Sequence, residues 1–396
     1  MNRLLIRLYQ KGLGFFVKKV RYREPKCYVN QDAYKKIIEI IYQNKKQRPF
    51  IVASLRTLQQ DRFQIVQKKL ADAIYFSEVT QEPTDLLVEK MVDEYHYYHC
   101  DCVIAIGGGS ILDASKALLA RLTRKKRSLN DLKGVLKIRK SVPLFIGVPT
   151  TAGTGSESSI TTVIKDHSTH FKYTINDPSL ICHYALLDPT LTYTLNSKQT
   201  YYGAMDALCH ATEAYLNKAY HRKDTKEKCL QVIKLIMYYL PIACKEPENN
   251  QARLALLLAS YQAGMCFSEA CVGNIHALAH ALGGKYNLAH SEMIALLMPI
   301  ILDDYGSVIE TPLQEMVTYL GSHFKTGKQW INYLKQQNEQ MGVSNISFEM
   351  SEKDEEEMAN AAYKEANPLY PVPVIYTKDR FKKILNKLDQ KEGRLV

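Results

Sequence analysis

The chain of 396 residues exceeds the size at which a single hydrophobic core usually stops growing, so more than one domain is expected. Its 46% hydrophobic and 23% charged residues are an ordinary globular balance, and no internal repeat or low-complexity tract interrupts it. The net charge of +11 would suit a nucleic-acid partner, but Lys and Arg are spread along the chain with no accompanying motif, so a generally basic surface and no nucleic acid are expected.

Residues 1–24 form a basic extension whose apolar runs are broken by Arg3, Arg7, Lys11, Lys18, Lys19, Arg21 and Arg23, a pattern that fits neither a signal peptide nor a membrane span. Such a segment can lie on an anionic membrane surface as a basic amphipathic helix, or pack against the chain's own body or a second subunit. Packing is the expectation here. From there to about residue 190, short apolar strands at 50–53, 73–76, 103–106, 144–148 and 184–187 alternate with helical stretches such as 84–98. That alternation predicts an α/β domain over 25–192, with a parallel sheet and crossover helices. Beyond Thr192 the pattern turns to helical periods at 230–240, 251–267 and 275–282 without strand alternation, which predicts an all-helical domain over 193–396. The acidic run 352–357 reads as a solvated helix start.

The nine Cys are scattered, Cys100 and Cys102 are too close for an ordinary disulfide, and no CxxC pair occurs. This is the usage of a reducing cytoplasm, and Cys209 reads as a small core filler.

Three segments carry chemistry. The apolar run ending in Gly107-Gly108-Gly109-Ser110, followed by an amphipathic stretch with Asp113 and Lys116, reads as strand, turn and helix. Such a turn either cradles a pyrophosphate at the helix N-terminus or serves only as a tight connection. After a second apolar strand, the loop 149–157 mixes Thr150, Thr151 and Thr154 with glycines, and can ring a nucleotide or cap the next helix through Thr154 or Ser156. The third feature is Asp206 and His210, four apart on an apolar helical pattern, with His276 and His290 downstream. One carboxylate and three imidazoles would suit a borderline divalent ion such as Fe²⁺ or Zn²⁺, with a position left for substrate.

Taken with Lys172, the segment 187–192 and Met298-Pro299, these stretches run in one order over nearly the whole chain, which resembles the iron-containing (group III) alcohol dehydrogenase family. The resemblance implies a dehydroquinate synthase-like architecture and metal-dependent hydride transfer between NAD or NADP and a small alcohol or aldehyde. It assigns Asp206, His210, His276 and His290 to the metal, Fe²⁺ with Zn²⁺ as the alternative. It places His280 beside the nicotinamide, where it would relay a proton or orient a ligand. It gives Gly107, Gly108, Gly109 and Ser110 to the pyrophosphate and Thr150, Thr151 and Thr154 to the ribose and phosphates, with Lys172 and Leu191 as further cofactor contacts. A homodimer is also implied.

Two departures stand out. His290 is flanked by Ala289 and Ser291, where many relatives have Pro and Gly, and Ser54-Leu55-Arg56 follows the first strand without the acidic residue that NAD-preferring relatives often place against the ribose hydroxyls. An acid there would repel a 2′-phosphate, and its absence makes NADP use an expectation to test. The rival reading, a catalytically silent or membrane-surface binding protein of the same fold, is disfavoured because no ligand position is lost.

Overall fold

A computed structural model describes residues 2–389 other than 21, 80, 81, 170, 171, 287, 322, 323, 344, 345 and 347. Arg21, inside the basic extension, lies outside the described residues, as do Phe171, which precedes Lys172, and Asn287, between His276 and His290. By packing, the chain divides into two units, one of residues 22–200 with 239–268, the other of residues 1–21, 201–238 and 269–396.

Among the described residues the first unit holds nine strands: β1 (Lys26–Val29), β2 (Pro49–Ala53), β3 (Ile74–Phe76), β4 (Cys102–Gly107), β5 (Gly134–Val135), β6 (Leu144–Pro149), β7 (Thr161–Lys165), β8 (Lys172–Asn176) and β9 (Tyr184–Leu187). Six pair in parallel in the order β1-β9-β6-β4-β2-β3. β2 and β4 are buried along their whole length because both faces of the sheet are covered. Alternate residues show it: Phe50, Val52, Val103, Ala105 and Phe145 enter one apolar cluster, whereas Ile51, Ala53, Ile104, Ile106, Ile146 and Val148 enter another. The strands expected from the sequence are those of the main sheet's interior and far edge.

A smaller sheet, β5-β8-β7, was not anticipated. Its antiparallel pair β7 and β8 alternates buried and half-buried side chains, a period-2 signal that short polar strands carry only weakly. The helix Asn250–Ala270 starts in the same unit, because Gly155 N–H donates to Ser260 Oγ (3.1 Å) and Ser158 Oγ to the Tyr261 carbonyl (2.6 Å). Gly155 is required at that contact: its φ is +57°, and a Cβ there would lie 2.4 Å from the Ser260 carbonyl.

The main sheet has its topological switch between β2 and β4, since β3 adds to one side of β2 and β4 to the other. Ligands of open α/β sheets bind outside the carboxyl ends of the strands at such a point. The register Ala53↔Ile106 brings the Ser54 turn and the Gly107 turn to that place side by side.

The second unit is helical among its described residues. Its helices include Arg3–Val17, Asn274–Tyr286, His290–Tyr305 and Glu352–Ala366, the last capped by Ser351, whose side chain accepts from Asp354 N–H. The acidic run 352–357 is the first turns of that helix, where carboxylates suit the helix dipole. The helix Ser197–Leu216 supplies most of its length, from residue 201, to this unit. The extension packs here: Arg7 donates to the carbonyls of Val372 and Pro373 at 2.7 and 3.1 Å.

Candidate metal centre and nucleotide turn

On the helix Ser197–Leu216, Asp206, His210, Glu213 and Asn217 are spaced by four, three and four residues, so the helical period puts them on one face. Asp206 is buried and meets two imidazoles from later helices, with Oδ1 3.6 Å from His276 Nε2 and 3.5 Å from His290 Nε2. One ligand atom each from Asp206, His276 and His290 lies within 4.8 Å of the other two. His210 stands beside this trio, with Nδ1 3.8 Å from Asp206 Oδ1 and its ring stacked on His276 at 4.4 Å. His280 stacks on His290 at 4.9 Å.

The electrostatics are those of an acid among bases. Burial opposes ionisation of Asp206, but His210, His276 and His290 outweigh it and hold the carboxyl well below its ordinary value. Burial lowers His210 to about 3, so its imidazole is neutral, as a ligand's must be. Both Asp206 oxygens and His276 Nε2 are buried without a hydrogen-bond partner. Buried polar atoms are almost always satisfied, so an anionic oxygen pair and an imidazole nitrogen left together fit a divalent cation.

Behind the trio stands Glu213. Its Oε2 lies 2.6 Å from His276 Nδ1 and accepts from Gly273 N–H at 2.7 Å, while Oε1 accepts from Ile275 N–H at 2.8 Å. One turn further, Asn217 Nδ2 donates to the carbonyls of Ala270, Cys271 and Val272 at 2.8, 2.9 and 3.2 Å. Two side chains of one helix thus grip the linker that leads into Asn274–Tyr286, and fix where His276 begins. Gly273 is dictated by this grip, because a Cβ there would lie 2.6 Å from Glu213 Oε1.

His280 has its own partner: Nδ1 is 2.7 Å from Glu365 Oε1, which also accepts from Tyr370 Oη at 3.0 Å. Sequence reading assigned no role to Glu213 or Glu365. The seven-residue step from Asp206 to Glu213 is a signal that was there to use, whereas nothing local marks Glu365.

In the α/β unit, Gly107 closes β4, Gly108 caps the helix Gly109–Thr123, and Thr150 N–H donates to the Gly107 carbonyl at 3.0 Å. The glycine turn and the threonine loop are in contact. A Cβ on Gly108 would lie 3.2 Å from Thr151 Cγ2, and one on Gly109 2.6 Å from Thr154 Cγ2. Asp113 ties the arrangement down, its Oδ1 accepting from Ser156 Oγ (2.7 Å) and its Oδ2 from Val163 N–H (3.1 Å). Ser110, Thr150, Thr151 and Thr154 are half-buried, which leaves this face accessible. Lys172, on β8, forms an ion pair with Glu82. Leu191 sits in the short turn Pro189–Thr192 with its side chain in the core beneath the sheet.

Known proteins bear on this geometry. Residues 25–189 match the family model described as iron-containing alcohol dehydrogenase, and residues 200–388 match the C-terminal model of the same family. The NAD-dependent methanol dehydrogenase of Bacillus methanolicus is 32% identical over 293 residues, spanning 72% of this chain and 76% of that protein. Alcohol dehydrogenase 4 of Saccharomyces cerevisiae is 33% identical over 292 residues, 72% of this chain and 75% of that protein. The solved alcohol dehydrogenase from Oenococcus oeni superposes with a TM-score of 0.85 at 27% identity, over 93% of this chain and 99% of that one. An α/β unit with a parallel sheet, a helical unit bearing a carboxylate–imidazole cluster, and these matches over both halves together place the chain in the iron-containing alcohol dehydrogenase family.

Proposed function

We propose that the chain is a divalent-metal-dependent alcohol dehydrogenase and aldehyde reductase that moves hydride between a nicotinamide dinucleotide and a small primary alcohol or aldehyde. The observation that carries this reading is the buried Asp206 carboxylate, both of whose oxygens are unsatisfied and whose Oδ1 faces Nε2 of His276 and of His290. Asp206, His276 and His290, with His210 beside them, would hold Fe²⁺ or Zn²⁺. When bound, such a cation acts as a Lewis acid toward the substrate oxygen.

The chain's own residues then have distinct tasks. Asp206 supplies the negative charge that favours a cation in a buried site. Glu213 occupies Nδ1 of His276 and so leaves Nε2 as its ligating nitrogen. His280, with Nδ1 engaged by Glu365, accepts the proton released as an alcohol is oxidised and returns it during aldehyde reduction. Gly107 to Ser110 would hold the pyrophosphate, and Thr150, Thr151 and Thr154 the ribose and phosphates. The roles given to Lys172 and Leu191 rest on family position alone, since one is paired with Glu82 and the other packed in the core.

Ser54 accepts from Thr57 N–H as the cap of a short helix, and Arg56 is exposed beside it at the carboxyl end of β2. This acid-free turn supports acceptance of a 2′-phosphate, and hence of NADP as well as NAD. Anaerobic purification, metal analysis, and NADH and NADPH oxidation with short aldehydes before and after adding Fe²⁺ or Zn²⁺ test the reading. About one metal per chain with metal-dependent turnover supports it. Turnover without metal rejects it, and a strong NADH preference removes the NADP part.

A further inference from the structure

The helix Arg3–Val17 precedes residue 25, where the family match begins. Its apolar side chains are divided between two faces, where the usual amphipathic helix of a globular protein turns a single apolar stripe inward. On the face toward the body Arg7 bonds to Val372 and Pro373, and Gln10 Nε2 donates to the carbonyls of Pro368 and Tyr370 at 3.0 and 2.7 Å. Buried Ile6 and half-buried Leu13 and Val17 share that face, with Gly14 against the Tyr220 ring. Five large apolar side chains face out, with Leu4 66%, Leu5 54%, Leu8 56%, Tyr9 48% and Phe15 61% exposed.

The helical period gathers Leu4, Leu8 and Phe15 on one side, with Leu5 and Tyr9 adjoining. Exposed Lys11 lies on that side, exposed Lys18 and Lys19 follow the end of the helix, and Lys19 Nζ lies 4.1 Å over the Phe15 ring. No Asp or Glu occurs before Glu24.

We propose that this face docks on an anionic lipid surface, seating the protein at a membrane interface. Charge selects the occupant. A contact with a second copy through a two-fold axis would set an acid-free, cationic patch against itself. Anionic headgroups complement the cations, while the outward Leu, Tyr and Phe enter the boundary between headgroups and acyl chains. The Arg7 and Gln10 bonds hold the helix already formed, so little ordering is left to do on contact. No single helix among the described residues is long and apolar enough to cross a membrane.

Sedimentation of the full chain with vesicles of phosphatidylcholine, or of phosphatidylcholine and phosphatidylglycerol in equal parts, tests this. Binding to the anionic vesicles alone is expected, weakening as added salt shortens the screening length. A variant combining Leu4→Gln, Leu8→Gln and Phe15→Gln should lose about tenfold in bound fraction with its circular dichroism and turnover intact. A second, Lys11→Glu with Lys18→Glu and Lys19→Glu, should lose binding while the apolar face remains. Absent binding, or equal binding to neutral vesicles, overturns the proposal. So does a drop in oligomeric mass, by light scattering, on making the Gln substitutions, which would show the face to be a contact between copies.

Discussion

Glu213 Oε2 lies 2.6 Å from Nδ1 of His276, and the same carboxylate accepts the backbone N–H groups of Gly273 and Ile275. A single buried side chain therefore sets both the tautomer of one imidazole and the start of the helix that carries it. Asp206 lies two turns earlier on the Glu213 helix, so the distance between Asp206 and His276 is set by the same grip.

Replacing Glu213 with Gln puts an amide N–H where two backbone donors and an imidazole now find acceptors. We expect the affinity for Zn²⁺ or Fe²⁺ to fall about 10- to 100-fold. Stability should drop by about 1–3 kcal/mol from the unsatisfied donor. Competition of the metal-loaded protein against a chelator reads the first effect, and an unchanged dissociation constant would rule out the positioning role.

His280 and His276 should separate cleanly. His276→Ala and His290→Ala are expected to abolish metal retention and turnover together, whereas His280→Ala should keep the metal and lose about 100-fold or more in kcat. Metal analysis of the three purified variants decides. A His280→Ala protein without metal would make His280 a structural partner of the cluster and end the proton-relay assignment.

Gly109→Ala adds a Cβ that would meet Thr154 Cγ2 at 2.6 Å, so the threonine loop must shift from the glycine turn. The expected outcome is about a tenfold rise in the KM for the dinucleotide, with metal content unchanged because the cluster belongs to the other unit. Steady-state kinetics at saturating aldehyde measure it. An unaltered KM would remove this turn from the cofactor site.

His183 offers a pH prediction away from the cluster. Its Nδ1 accepts from Phe145 N–H at 3.0 Å, and burial, then Arg23, lower it from 6.5 to about 4. Below 6.5 the unfolded chain takes up a proton that the folded chain refuses until about 4, so stability present above 6.5 is lost as pH falls through that window. His183→Asn keeps an acceptor for Phe145 N–H without the titration. Urea unfolding at neutral and mildly acidic pH should show a smaller acid-side loss in the variant, and equal losses would refute the assignment.

What could be read from the chain itself was local. Apolar runs before Gly107 and Pro149 dictate buried parallel strands, because only a sheet covered on both faces hides such runs. The four-residue step from Asp206 to His210 places both on one helix face by geometry alone. Backbone period and turn chemistry act within a few residues, and so survive in sequence. Tertiary structure alone decided which distant groups meet. Glu365 reaches His280 across 85 residues, and Asn250–Ala270 is held by Gly155 and Ser158 from more than a hundred residues upstream. Likewise, the pattern of the extension is amphipathic in either orientation. Backbone carbonyls at 368–373 that needed donors drew Arg7 and Gln10 inward, and thereby turned Leu4, Leu8 and Phe15 to the outside.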